Sequence, residues 1–433
     1  MEITQKKLAR MTILLAAMVS LTSCLNSGIK KSTSEKNSDF EIGKTSVEMA
    51  GNMTVGWNLG NTLDATADYT DAAGKFHCTD NAGLRTEKNW GMPFTTKEMI
   101  SAIKDAGFKT IRIPVSWHNH ISDTKNFTVD QQWMSRVKEV VDYAYNLKMY
   151  VIINIHHDNM AISKIGGCCG FALSDDPAVQ KKSQAYIEKI WTQIATTFKS
   201  YDNRLVFEVL NEPRDIGGEF ASAKGWANSG EWWTNKREVM DIITSYEQTA
   251  VNAIRAVDGN QDRYIMVPGY AGSGADKSML SLYTLPKDSA NDRLILSAHA
   301  YSPYNFAMST SDDTRFGQDD KDSLDAIFSF LKTNYTDKGI GVVMGEASAS
   351  DKNNLSDRVA WASYYFAKAR DAKIPVVLWD NMVTVSTGGD IESGECHGYL
   401  DRNKLSWYFP TFIEAAMKAV YGSSYSNENL SSF

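Results

Sequence analysis

Short apolar runs alternate with longer amphipathic stretches along nearly the whole chain. Eight runs read as buried strands: Val55–Leu59, Thr110–Val115, Tyr150–Ile155, Leu205–Leu210, Tyr264–Val267, Leu294–Ala298, Val342–Gly345 and Val376–Trp379. Between them, spacing near 3.6 residues predicts helices over Thr96–Asp105, Gln131–Leu147, Ala178–Lys199, Trp232–Val257, Lys321–Asn334 and Ser356–Arg370, with Ser406–Val420 closing the chain. Apolar strands separated by helices belong to a parallel sheet covered by helices, and eight of them fit a (β/α)8 TIM barrel built as a single domain over residues 46–433. The competing architecture, an open doubly wound sheet, calls for a Gly-rich phosphate turn after its first strand. Gly56-Trp57-Asn58-Leu59-Gly60-Asn61 offers a Trp and two Asn there instead, which suit a sugar better than a pyrophosphate.

A barrel collects its chemistry at the carboxyl ends of the strands, so those ends are tested by residue type. The fourth strand runs apolar until Asn211-Glu212-Pro213, where proline removes the next ladder donor. Period two puts Glu208, Leu210 and Glu212 on one face, one carboxyl deep and the other at the tip. The seventh strand also ends on a glutamate, Glu346. Strand two ends at Arg112 to His120 and strand three at Asn154-Ile155-His156-His157-Asp158. Strand six ends at His299-Ala300-Tyr301, and strand eight at Trp379-Asp380-Asn381. Two carboxyls at the mouth of one sheet are the minimum equipment for acid/base and nucleophilic work on an acetal.

Arg112-Ile113-Pro114, His156-His157, Asn211-Glu212-Pro213, His299-Ala300-Tyr301, Gly345-Glu346 and Trp379, in that order, resemble glycoside hydrolase family 5. Gly56 to Asp64 and Ala300 to Phe306 further resemble its subfamily 4. The resemblance implies a retaining endo-β-1,4-glucanase acting on cellulose-type, mixed-linkage or xyloglucan chains, with no cofactor and no metal. It implies Glu212 as general acid/base and Glu346 as nucleophile, with Arg112, His156, His157, Asn211, His299, Tyr301, Trp379, Asn58 and Trp57 as supporting or substrate-binding residues.

Chemistry adds detail to those roles. Arg112 and Tyr301 are the donors expected to keep Glu346 ionised, whereas Glu212 needs a raised pKa to carry a proton. Asn211 is expected to donate to a sugar hydroxyl, and Trp379 to stack on a pyranose face. Parity turns His156 inward and His157 outward, and it sends Glu208 to a deeper layer, where it pairs with Arg112 for structure. His299 shares the face of Tyr301 and can orient Glu212 or bind sugar. Trp90, Trp117, Trp226, Trp232 and Trp233 join Trp57 as candidate subsites, about half of them packing only. Trp133, Trp191 and Trp361 fall in helices as core. The segment 214–235 exceeds a normal connection and is expected to wall the cleft.

Two other classes are weighed. His118-Asn119-His120 with His156-His157-Asp158 could ligate a metal, but a His-x-His pair of that kind belongs after the first strand, and this one follows the second. A lipid-anchored glycan-binding protein is the second, and the presence of both glutamates speaks against it.

The start of the chain concerns address rather than fold. Lys6, Lys7 and Arg10 precede an apolar stretch, Met11–Val19, and Leu21-Thr22-Ser23-Cys24 closes it like a bacterial lipobox. Residues 1–23 are therefore expected as a lipoprotein-type signal, with Cys24 lipidated. The Ser-, Lys- and Asn-rich 24–45 is expected as a tether leading directly to the first strand. The expected location is the bacterial outer membrane, at the cell surface or its periplasmic face, or the medium; the membrane partner is reached only through the anchor. A net charge of −7 argues against nucleic acid, and a monomer is expected. Cys78, Cys168, Cys169 and Cys396 lie in predicted loops, as one disulfide or as free thiols.

Overall fold

A computed structural model describes residues 43–427 and Leu430; residues 1–42, with the expected signal segment, Cys24 and most of the expected tether, lie outside the described residues. Eight strands are present where the apolar runs predict them: β1 (Val55–Leu59), β2 (Thr110–Ile113), β3 (Tyr150–Asn154), β4 (Leu205–Glu208), β5 (Ile265–Ser273), β6 (Leu294–His299), β7 (Gly341–Ala347) and β8 (Val376–Asp380). All pair in parallel and close into a barrel, with β1 hydrogen-bonded to both β2 and β8. Nearly every strand residue is buried, because one face fills the barrel and the other carries the helices.

The helices are α1 (Ser46–Met53), α2 (Lys97–Asp105), α3 (Gln131–Asn146), α4 (Pro177–Thr197), α5 (Glu219–Ala223), α6 (Arg237–Arg255), α7 (Lys277–Leu282), α8 (Tyr304–Ala307), α9 (Gln318–Asn334), α10 (Leu355–Asp371) and α11 (Pro410–Tyr421). Asp130, Asp176 and Thr96 cap α3, α4 and α2 with side-chain oxygens on first-turn N–H groups. The expectation that the tether runs straight into β1 is corrected by α1. Thr45 and Glu48 form a reciprocal capping box at its start, and Ser46 Oγ accepts from Gly341 N at 2.9 Å, joining the helix to the amino end of β7. Eight residues are too few to show a helical period against a polar background.

Strand register builds the floor of the site. Asn58 on β1 lies opposite Arg112 on β2 and Trp379 on β8, Asn154 opposite Glu208, and His299 opposite both Glu346 and Ser273. β5 runs on to Ser273, beyond the predicted Val267, through positive φ at Ala271 and Gly272. A Cβ on Gly272 would lie 3.2 Å from His299 Nδ1 and 3.3 Å from Glu212 Cγ, so this strand tip comes close to the acid only because it lacks a side chain. Cys78, Cys168, Cys169 and Cys396 are free thiols. Among the described residues, no helix is long and apolar enough to cross a membrane.

Candidate active site

Arg112 is the buried hub at the carboxyl end of the barrel. Its Nε donates to Glu208 Oε2 at 2.7 Å, Nη1 to Glu346 Oε1 at 2.7 Å and to Asn58 Oδ1 at 3.0 Å, and Nη2 to Asn211 Oδ1 at 2.7 Å. Burial opposes its charge, but Glu208 and Glu346 outweigh burial and hold the guanidinium above its ordinary pKa. Glu208 is fully buried and also accepts from Ser297 Oγ and Asn154 Nδ2. Burial pushes this carboxyl up, but Arg112 and His299 together outweigh burial, and it falls to about 2. Glu208 thus orients Arg112 from beneath, as its parity predicts.

Glu346 accepts from Arg112 on one oxygen and from Tyr301 Oη at 2.8 Å on the other. Burial, then the charge of Glu346, push the Tyr301 hydroxyl well above its usual pKa, so it stays a donor. Glu212 meets His299 Nδ1 at 2.8 Å through Oε1. One carboxylate oxygen of Glu212, one of Glu346 and a ring nitrogen of His299 all lie within 4.8 Å of one another.

The expectation of a raised Glu212 pKa is corrected for the free site. Burial pushes it up, but the His299 contact and then the charges of Arg214 and Arg112 outweigh burial and hold the carboxyl below its usual range. His299 moves the opposite way: burial opposes its charge, but Glu346, Glu208 and Glu212 push it to about 9. One proton is therefore shared across the 2.8 Å contact and rests on the imidazole, a titration that belongs to the pair.

The remaining predicted residues divide. Asn211 is buried with its oxygen held by Arg112, which leaves the amide N–H groups to donate. Asn154 has its oxygen fixed by Val115 N at 3.0 Å, so its amide nitrogen donates to His156 Nδ1 at 3.0 Å and leaves His156 Nε2 carrying the ring proton. The His156 ring lies parallel to Trp379 at 6.0 Å. His157, expected to point outward, instead stands beside His156 with its ring edge toward Trp90 and Nε2 4.0 Å from Asp64 Oδ2, its side chain 37 % exposed. Strand pairing ends at Asn154, so strict alternation no longer holds there.

Trp57 is a correction, whereas Asn58 is a supporting residue and not a sugar ligand. Trp57 is fully buried against the Arg402 guanidinium, 4.9 Å from its ring, on the face of β1 away from the barrel axis. Asn58 faces inward but is wholly enclosed, its amide nitrogen donating to Gly345 O at 2.9 Å and Val377 O at 3.1 Å. Neither reaches the cleft. Trp117 is likewise core, donating to Asn154 O at 2.8 Å. Trp90 and Trp232 are exposed, at 38 % and 58 %. His118 is bound to Asp68 at 2.8 Å, while His120 meets Thr86 at 3.1 Å and stacks on Trp133, so the His-x-His pair serves two different loops.

The family whose description matches residues 70–384 is Cellulase (glycosyl hydrolase family 5). The chain belongs to glycosyl hydrolase family 5. Endoglucanase 1 of Ruminococcus albus is 39 % identical over 371 residues, covering 85 % of this chain and 79 % of that protein. Cellulase/esterase CelE of Acetivibrio thermocellus is 37 % identical over 87 % of this chain, which spans only 40 % of that longer protein. Among solved family 5 structures, the GH5-4 broad specificity endoglucanase of Ruminococcus champanellensis with bound cellotriose superposes with a TM-score of 0.74. It is 38 % identical, and the match covers 86 % of this chain and 98 % of that one.

Sequence reasoning passed over the role of Arg214 in this family 5 site. Arg214 follows Asn211-Glu212-Pro213 directly, and its Nη1 lies 3.7 Å from Glu212 Oε2. The only signal was its place one residue beyond the proline, in a segment assigned to the cleft wall. That wall is held by Tyr270, whose hydroxyl lies 2.9 Å from both Gly230 O and Glu231 O, and by Trp233 Nε1 donating to Asp276 at 2.8 Å.

Proposed function

We propose that this family 5 chain is a retaining endo-β-1,4-glucanase with Glu346 as nucleophile and Glu212 as general acid/base. The observation that carries the reading is the carboxylate pair, with oxygens within 4.8 Å of each other and unlike partners. Retaining pairs stand about 5 to 5.5 Å apart, whereas inverting pairs leave room for a water between them. In the first half, Glu346 forms a bond to the anomeric carbon while the glycosidic C–O bond breaks, and the leaving oxygen takes the proton from Glu212. In the second half, Glu212 takes a proton from water, whose oxygen displaces Glu346 from the sugar.

The shared proton must pass from His299 to Glu212 before the first half. Substrate excludes water from both carboxylates and, with Glu346 still negative, favours the neutral form of Glu212. Arg112 and Tyr301 stabilise Glu346 as an anion and as a leaving group. Asn211 and His156, each with an N–H to offer, bind sugar hydroxyls, and Trp379 supplies a flat apolar face. Reading the site this way makes the substrate a β-1,4-linked or mixed-linkage glucan, in line with the broad specificity in the name of the superposed enzyme.

The deciding experiment is reducing-sugar release by residues 46–433 from mixed-linkage glucan, carboxymethyl cellulose, xyloglucan and xylan, with chelator, beside Glu346→Gln. Chelator-resistant release lost in the variant is the expected result. Undiminished release by Glu346→Gln sinks the nucleophile assignment; binding without release favours a lectin-like protein, and chelator-sensitive release a metal hydrolase. For the address, we propose lipidation at Cys24 and anchoring of a monomer. Cys24→Ser should release the enzyme from the membrane fraction and abolish fatty-acid labelling; labelling that survives the change excludes the anchor.

A further inference from the structure

Arg214 sits at the edge of the pair with its guanidinium fixed on three sides. Its Cζ sits over Trp232, 3.7 Å from the ring centroid, its Nε donates to Glu231 Oε1 at 3.2 Å, and its Nη1 donates to the backbone oxygen of Glu212 at 3.3 Å. The backbone beneath is pinned as well, Arg214 N donating to Asn159 Oδ1 at 2.7 Å. From this fixed place Nη1 lies 3.7 Å from Glu212 Oε2, too far for a hydrogen bond and near enough for charge.

We propose that Arg214 is a positioning residue for the acid/base: clamped between Trp232 and Glu231, it holds a positive charge beside Glu212 and sets the pH up to which that carboxyl keeps its catalytic proton. The inference rests on the reading of Glu212 as acid/base. The groups facing Glu212 are His299, Glu346, Arg112, Arg214, His157, Tyr301 and Glu395. Among its cations, Arg112 is bound to four partners in the barrel floor and His299 shares the proton itself. Arg214 alone among them belongs to the cleft wall and rests on an exposed ring. Its charge makes Glu212 a readier proton donor in the first half of the reaction and a weaker base in the second. The clamp keeps this effect constant while the wall is open to solvent.

The test is the pH profile of kcat/KM on a glucan oligosaccharide with a poor leaving group. Arg214→Gln should move the alkaline limb upward by about half to one pH unit, the size of one nearby charge in a partly solvated site, and leave the acid limb in place. Arg214→Lys should bring the limb back toward wild type. Trp232→Ala, at an exposed ring, should move the limb the same way by less, because the guanidinium is no longer clamped; this variant decides if Arg214→Gln does not fold. An alkaline limb unmoved in these variants, or moved as far by Arg214→Lys as by Arg214→Gln, overturns the inference. Glu212→Gln is assayed beside them on poor and activated leaving groups. Equal losses on the two overturn the acid/base reading and this inference with it, whereas selective loss on the poor leaving group with an unmoved limb overturns this inference alone.

Discussion

Asn58 touches no solvent, yet it fixes the surroundings of the nucleophile: one amide oxygen steers Arg112 Nη1, and one amide nitrogen ties β1 to the carbonyls of Gly345 and Val377. Asn58→Ala removes one donor from each of those carbonyls and lets the guanidinium shift. Expected are a loss of about 1–3 kcal/mol of stability and a fall in kcat of about tenfold or more with KM nearly unchanged, since the damage is to a group that acts in the transition state. A chemical denaturation curve and steady-state kinetics on one glucan check both; a rise in KM alone would mean that Asn58 binds sugar after all. Trp57 makes the same point from the other face. Both residues belong to a motif shared with sugar-binding enzymes, and motif membership drew them into the cleft. Period two applied to β1 sets Asn58 inward with Arg112 and Trp57 outward toward Arg402. Glu212 and Glu346 were legible because each ends an apolar run. The depressed Glu212 pKa was not, because it depends on how closely the His299 ring and the charges of Arg214 and Arg112 approach the carboxyl, and sequence spacing gives no such distance.

At the scale of elements, the eight strands were readable because a strand buried on both faces is mostly apolar, and seven helices because each keeps one apolar stripe. Elements of eight residues or fewer, such as α1 and α7, carry too little period to stand out. The wall loops were less readable still, since polar anchors hold them. Lys352 is the clearest case. Its buried ammonium donates to Asn305 O at 2.6 Å, Ser311 O at 2.9 Å and Asp313 O at 3.3 Å, gathering the loop between β6 and α9 at the mouth of the barrel. Burial holds this lysine below its ordinary pKa. Lys352→Met keeps the stem and removes the three bonds, so hydrogen exchange and proteolysis should speed up over residues 305–313 while the barrel strands stay protected. Unchanged exchange there would show that Ser350 N, which donates to Ala307 O at 2.9 Å, holds the loop by itself.

For the whole molecule, buried ionisable groups set the pH at which the barrel is most stable. Glu208, depressed to about 2, contributes stability that is present above its unfolded pKa of 4.5 and lost as pH falls through about 2. Three groups act on the other side. Burial raises Asp64 to about 7, so the fold loses stability as pH rises from 3.8 to that value. His299 contributes stability that is complete below 6.5 and lost as pH rises through about 9. Glu247 on α6 is the extreme case: fully buried, it has Oε2 bonded to Tyr283 Oη at 2.6 Å and, among the described residues, no partner for Oε1. Burial raises its pKa well above 4.5, and the folded chain keeps a proton there that the unfolded chain gives up. Each of these three makes the native state bind more protons than the unfolded one at neutral pH, so each withdraws stability as the pH rises toward 9. Glu247→Gln keeps the volume and an acceptor for Tyr283 but cannot ionise. Urea midpoints from pH 5 to 9 should coincide for the two proteins at the acid end and diverge above it, the variant being more stable by about 1 kcal/mol or more at pH 8. A difference independent of pH would mean that Glu247 is ionised in the fold and that its charge is met from elsewhere.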